Sequence, residues 1–227
     1  MLILSIVAYL FLAFFPTAVW LLFFLGEDKK REPTQLIIKT FFLGALSSVP
    51  VLILQIFTEG LFENYISNFF IIAIVLAFFE EFFKFFAAYT AIHKSPDFDE
   101  PIDPMIYMVV AGLGFATIEN MFVVASVMFQ QNYVFTLTAI GSAVVLRFIG
   151  ATLLHVLASA VVGYFWAKGI ILEKRKQFIL FGLVVATIIH GVFNTLVFEF
   201  QEINFLIPTL FLVAVSFFVF RDFENLK

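Results

Sequence analysis

Glu80 and Glu81 stand side by side in an otherwise apolar stretch, and Lys84 follows one helical turn later. Every other residue from Phe69 to Ala88 is apolar. An ionisable side chain in the middle of a membrane helix costs about 2.5–3.5 kcal/mol on insertion scales. Three together require partners and a polar cavity, so they mark a site that other residues must complete. Those residues are Glu119 with Asn120, Arg147 with His155, and His190 with Asn194. Two kinds of chemistry fit the set. A glutamate of the Glu80–Glu81 pair can deprotonate a water, while Glu119, His155 and His190 orient it and stabilise a developing oxyanion. Alternatively, His155 and His190 with Glu80, Glu81 or Glu119 form a two-histidine, one-carboxylate set suited to zinc. Both routes end in water attacking a carbonyl.

The elements that position these residues are long apolar runs. About seven stretches are long enough to span a bilayer: residues 3–25, 36–57, 69–92, 105–129, 138–167, 178–199 and 205–221. The reading is an all-α, polytopic membrane helix bundle forming a single integral-membrane domain over residues 1–227, with the motif-bearing core at about 69–199. The fifth run exceeds what a bilayer needs, so it is expected to tilt or to project. The run at 3–25 lacks a basic leader and a small-residue cleavage site, and is expected to be a retained helix. Of the 13 lysines and arginines, all but Lys84 and Arg147 lie in or beside alternate breaks or in the tail. By the positive-inside rule the N-terminus is expected outside and the C-terminus in the cytoplasm.

Depth and spacing tie the residues together. At about 1.5 Å rise per residue, Glu81, Glu119, His155 and His190 each fall within a few residues of mid-span. Glu80 and Lys84 are four apart, on one helix face, and can pair. His190 and Asn194, and His155 and Ser159, repeat that spacing. On a continuous helix Arg147 stands about 12 Å from His155, nearer the outer face. Gly112 and Gly114 allow another helix to approach the fourth span closely. Taken singly, each residue has a blander reading. Glu80–Lys84 can be a structural ion pair, Asn120 and Asn194 interhelical hydrogen-bonding groups, and Arg147 an interfacial anchor. The common depth of four groups on four helices favours a site.

Composition narrows the classes. The chain of 227 residues is 63% hydrophobic and only 13% charged, against about 45–50% and 25% in soluble domains. Little remains for a soluble domain. The 35 phenylalanines suit a lipid-facing surface. No basic patch exists for nucleic acid, and the absence of cysteine excludes disulfides, thiolate zinc ligands and thiol nucleophiles.

Four motifs in order, Glu80-Glu81-x-x-Lys84, Gly112-x-Gly114-Phe115-Ala116-x-x-Glu119-Asn120, Arg147 with His155, and His190-Gly191-x-x-Asn194, resemble those of the PrsW family of bacterial intramembrane proteases. That family is related to the CAAX proteases and bacteriocin-processing enzymes. The CAAX branch favours an arginine one position later than Lys84 and FxxxH where Phe115-x-x-x-Glu119 stands, so the PrsW branch fits better. The resemblance implies a multi-pass protein of the bacterial plasma membrane that cleaves a membrane-anchored protein, an anti-sigma factor being the best-known substrate kind. It leaves zinc and a metal-free glutamate mechanism open; adjacent carboxylates fit the glutamate role directly. A proton-coupled transporter is the rival from another class, since buried glutamates and histidines also build proton relays. Against it, the chain shows no inverted repeat and no pair of proline-broken spans.

Overall fold

A computed structural model describes residues 2–28, 30–65, 68–130, 144–200 and 206–226. Among them are seven long helices: α1 (Leu2–Leu25), α2 (Thr34–Tyr65), α3 (Phe69–Ile92), α4 (Asp103–Gln130), α5 (Ala151–Ile171), α6 (Arg175–Glu199) and α7 (Leu206–Leu226). The protein is a polytopic helical bundle, as the apolar runs predict. Five of its helices are long and apolar enough to cross a membrane. The 24-residue α3 has the length as well, but carries Glu80, Glu81 and Lys84 at its middle. Residues 131–143 and 201–205, which include the start of the fifth predicted span and most of two predicted breaks, lie outside the described residues.

Local chemistry sets several boundaries. Asn68 caps α3, its side chain accepting from the Phe70 amide. The Asp103 carboxylate accepts the amides of Asp99 and Glu100 and so ties the α3–α4 connection to the first turn of α4. Pro16 and Pro50 sit inside α1 and α2, which membrane helices tolerate when neighbours satisfy the freed carbonyls.

Helix α4 forms the centre. Its residues from Met105 to Ala111, with Leu113, Phe115 and Ala116, are buried. It packs between α2 and α5, with α1 also against it; α3 and α6 close the group by packing on each other, with α3 also against α2 and α6 against α5. The α2–α4 crossing depends on two missing side chains. A Cβ on Gly114 would lie 2.0 Å from the Phe41 carbonyl oxygen on α2, and one on Gly44 would lie 2.1 Å from that of Ala111 on α4. Backbones approach this closely only through small residues. Phenylalanine divides by position: Phe42, Phe57, Phe86 and Phe217 are exposed around the outside, while Phe24, Phe115 and Phe223 fill the interior.

The fifth span departs from the expected continuous helix. Residues 144–149 are helical, and the chain breaks at Gly150 (φ −98°, ψ −97°) before α5 begins. Arg147 therefore does not share an unbroken helix with His155.

The lysine- and arginine-bearing connections gather at one end of the bundle. Lys30, before α2, reaches Asp99 in the α3–α4 connection at 2.8 Å. Lys39 donates to the Ala91 carbonyl. Residues from the α3–α4 connection, the end of α5 and the start of α6 line one cavity there.

Candidate active site

Four helices bring the polar residues into one continuous network. Measured from the basic end, Glu80, Glu119, His155 and His190 lie roughly 17–24 Å along their helix axes. Glu81 and Lys84 are fully buried, and His155 and His190 nearly so.

Glu81 is the better paired of the two glutamates. Its Oε1 accepts from Lys84 Nζ at 2.7 Å and lies 2.7 Å from His190 Nδ1. Lys84 thus pairs three residues back, while Glu80 Oε2 remains 3.9 Å away. The i,i+4 ion pair predicted from spacing is present at 3.9 Å, and the i,i+3 contact to Glu81, which His190 also holds, is the closer one. Lys84 Nζ also lies 2.8 Å from His155 Nδ1 and 4.8 Å from the centre of the Phe115 ring.

On the far side of His155, Nε2 lies 2.8 Å from Glu119 Oε2. Arg147 Nη2 donates to the same oxygen at 2.8 Å, and its Nε donates to Asn120 Oδ1. Asn120 in turn donates to Thr152 Oγ1 at 3.2 Å. The break at Gly150 accompanies this arrangement, in which Arg147 braces the network rather than standing about two turns away from it.

The tautomers follow from the partners. Lys84 can only donate, so His155 Nδ1 accepts and its Nε2 carries the proton shared with Glu119. An ionised Glu81 can only accept, so His190 Nδ1 carries a proton and its Nε2 presents a lone pair. That lone pair faces Glu80 Oε2 at 3.5 Å, and His155 Nδ1 lies 4.0 Å from the same oxygen. The Glu80 Oε2 atom is buried and has no hydrogen-bond partner among the described residues. Three carboxylates then face two basic side chains, Lys84 and Arg147. With neutral imidazoles the cluster carries one negative charge in excess, and that charge belongs to Glu80. Burying an unanswered charge is costly, so this corner is built for a cation or a proton.

The donor set has the form of a metal site. One oxygen of Glu80 and one nitrogen each of His155 and His190 lie within 4.8 Å of one another, all from buried residues. Each imidazole has its other nitrogen against a carboxylate, Glu119 for His155 and Glu81 for His190, which is how metal-ligating histidines are usually oriented. The orphaned Glu80 oxygen and the His190 lone pair fit zinc; the His155 nitrogen is shared with Lys84.

Eight of the nine residues singled out in the sequence join this network. Asn194, one turn beyond His190 and half-buried, makes no side-chain hydrogen bond among the described residues. Sequence reasoning missed Thr152, which completes the Arg147–Asn120 chain. Its position three residues before His155, on one face with Ser159, was the available signal.

The fold and the network together describe a polytopic helical protein with a buried polar cluster shared by four helices. The model of the PrsW family of intramembrane metalloproteases matches residues 32–221, and the chain belongs to that family. The match extends beyond the motif-bearing core to α2 and most of α7. Among curated relatives, the "Protease PrsW" of Geobacillus kaustophilus is 24% identical over 208 residues, covering 90% of this chain and 85% of that protein. The one from Oceanobacillus iheyensis is 29% identical, covering 83% and 82%. The one from Bacillus subtilis is 27% identical, covering 90% and 88%. No solved structure matches. The protein is accordingly an intramembrane peptide hydrolase, and the transporter reading gives way to the protease.

Proposed function

We propose that the protein cleaves a membrane-anchored protein at a site assembled around Glu80, with His155 and His190 as co-ligands of a zinc ion. The observation that carries this reading is the convergence of the Glu80 oxygen and the two imidazole nitrogens. Zinc bound there would polarise the scissile carbonyl and make its bound water acidic enough to attack near neutral pH. The chain's own residues supply the rest. Glu81 holds His190 in the tautomer that leaves Nε2 free, and Glu119, braced by Arg147, turns His155. Lys84 balances Glu81 and is the nearest donor to an oxyanion forming beside His155. Burial among apolar helices keeps these charges in a low dielectric, where fixed donors act most strongly.

A metal-free reading also has an observation in its favour. Lys84 Nζ occupies the His155 Nδ1 lone pair at 2.8 Å. In that reading Glu80, the carboxylate with an unpartnered oxygen, takes the proton from the attacking water. Either chemistry places Glu80 at the centre and Glu81 in support.

The finer assignment of substrate rests on the family resemblance: a single-pass regulatory protein, with anti-sigma factors as the first class to test. The basic end of the bundle faces the cytoplasm in this proposal, and the membrane is the bacterial plasma membrane, supported by the distribution of lysine and arginine and by the bacterial relatives. The deciding experiment reconstitutes the purified protein with tagged single-pass substrates, with and without a zinc chelator. Cleavage that stops on chelation and returns with zinc supports the metal reading. Cleavage indifferent to chelation selects the glutamate base, and no cleavage of any membrane-anchored substrate would overturn the proposal.

A further inference from the structure

A trough of about 880 Å³ opens between α3 and α6 at the basic end of the bundle, apart from the charged network. The two helices meet closely toward the opposite end, where Phe69 stacks on Phe198 with ring centres 3.9 Å apart and Gly191 admits Ile74. Near the basic end they leave room between them. Phe82, Phe86, Tyr89 and His93 line one wall, and Ile179 and Leu180 the other. Trp166 of α5 forms the floor, with Phe85, Tyr89 and Phe98 around it at ring-centre distances of 5.4–5.8 Å.

Length and charge identify an occupant. From Phe82 to His93 the wall runs about 16 Å along α3, roughly half the 30 Å hydrocarbon core of a bilayer. The trough is one leaflet deep. At its mouth stand Arg175 and Lys176, both exposed and with no carboxylate within 4 Å among the described residues. The acidic groups on the opposite rim are already answered: Lys30 holds Asp99 at 2.8 Å and lies 3.9 Å from Glu100. An apolar, aromatic trough of this size is a normal ligand site. Basic pockets between membrane helices on the positively charged side recognise anionic lipid head groups.

We propose that this trough binds one anionic phospholipid from the leaflet on the basic side. Its phosphate sits between Arg175 and Lys176, and its acyl chains lie along Phe82, Phe86, Tyr89 and Leu180. The occupant is a lipid rather than a substrate helix because the apolar wall ends at mid-membrane and the free charge is confined to the mouth. The site does not depend on the identity of the reacting groups.

The chain has two tryptophans, and Trp166 lies in the floor of the trough, so fluorescence quenching reads occupancy directly. The full-length protein is reconstituted into phosphatidylcholine vesicles containing increasing fractions of brominated phosphatidylglycerol or brominated phosphatidylcholine. A Trp166→Phe variant supplies the Trp20 background. Phosphatidylglycerol is expected to quench Trp166 at a several-fold lower mole fraction. Arg175→Gln and Lys176→Gln, each removing a base worth about fivefold near an anionic surface, should each reduce that preference, and the double variant should abolish it. Lys94→Gln, a nearby exposed base outside the trough, should leave it unchanged. Equal quenching by both lipids in the wild type would overturn the proposal, as would an equal effect of Lys94→Gln. Protection of Trp166 from both lipids by a single-pass substrate peptide, without head-group preference, would assign the trough to protein instead.

Discussion

The Lys84 ammonium lies 2.8 Å from His155 Nδ1, one of the three atoms that would hold a metal. Lysine and metal therefore compete for one lone pair. Lys84 keeps Glu81 as a partner at 2.7 Å when that contact is lost, so a cation can enter without stranding it. Elemental analysis of the purified protein is expected to give about one zinc per chain. Glu80→Ala, His155→Ala and His190→Ala should each lose it. Lys84→Met should bind zinc at least as tightly as the wild type, because nothing then competes for His155. A fully active preparation free of zinc would show that the lysine, not a metal, belongs on that nitrogen.

Glu80 and Glu81 are neighbours with different surroundings, and their glutamine variants should differ in kind. Glu80→Gln removes the orphaned charge and no hydrogen bond, so the fold should keep its stability while cleavage falls by about 10²–10⁴. Glu81→Gln breaks a fully buried pair with Lys84 and weakens the hold on His190. Removing one partner of such a pair costs about 3–5 kcal/mol. Thermal unfolding in detergent beside a cleavage assay separates the two. Equal stability losses in both variants would refute the division of roles.

The fold and the members of the buried network were legible because a membrane penalises polar groups. Runs of apolar residues show as spans, and Glu81, Glu119, His155 and His190 stand out against them. What was hidden depended on tertiary neighbours. Spacing places both Glu80 and Glu81 within reach of Lys84; only His190, arriving from α6, selects Glu81. Arg147 reads from spacing either as a member of the site or as an interfacial anchor, and only its contacts with Glu119 and Asn120 decide for the first; a single glycine in an apolar run does not announce the break at Gly150. Gly112 and Gly114 signal close approach without naming their partners, which proved to be different helices. The trough at Arg175 and Lys176 left no motif, because its walls come from separate helices.

Glu32, in the connection before α2, gives the fold a dependence on pH. Burial pushes its carboxyl up to about 8, helped by the neighbouring Asp103 and opposed by the Tyr107 hydroxyl, which donates to it. The folded chain therefore holds this proton more tightly than the unfolded chain, whose ordinary value is 4.5. The stability it contributes is complete below that value and is lost as pH rises through about 8. Between pH 6 and 9.5 the thermal midpoint of the wild type is expected to fall more than that of Glu32→Gln, whose amide stays neutral and still accepts from Tyr107. Parallel curves for the two proteins would count against this role.

Gly112 and Gly114 are two residues apart on α4, but alanine at each should fail differently. A Cβ at Gly114 would lie 2.0 Å from the Phe41 carbonyl oxygen and 2.8 Å from the Ala45 amide nitrogen. Both are backbone atoms of α2, so no side chain can turn away and the whole helix must move. Overpacking of this sort typically costs about 1–3 kcal/mol, occasionally more, and Gly114→Ala should appear mainly as a lower thermal midpoint. At Gly112 the nearest atom is the Ser159 hydroxyl oxygen, at 2.4 Å, followed by the His155 carbonyl oxygen at 3.0 Å. Ser159 can rotate, since its buried hydroxyl has no hydrogen-bond partner among the described residues. The His155 backbone cannot, so the added methyl presses on the residue whose imidazole is proposed to take part in the reaction. A shift of about 1 Å at such a group can cost 10²-fold in rate. Gly112→Ala should therefore lose more activity than stability, and Gly112→Ala combined with Ser159→Ala should recover part of the stability but little of the rate. Cleavage rate and unfolding midpoint measured on the same preparations test this. Full activity in Gly112→Ala would mean that the α4–α5 crossing does not set the position of His155.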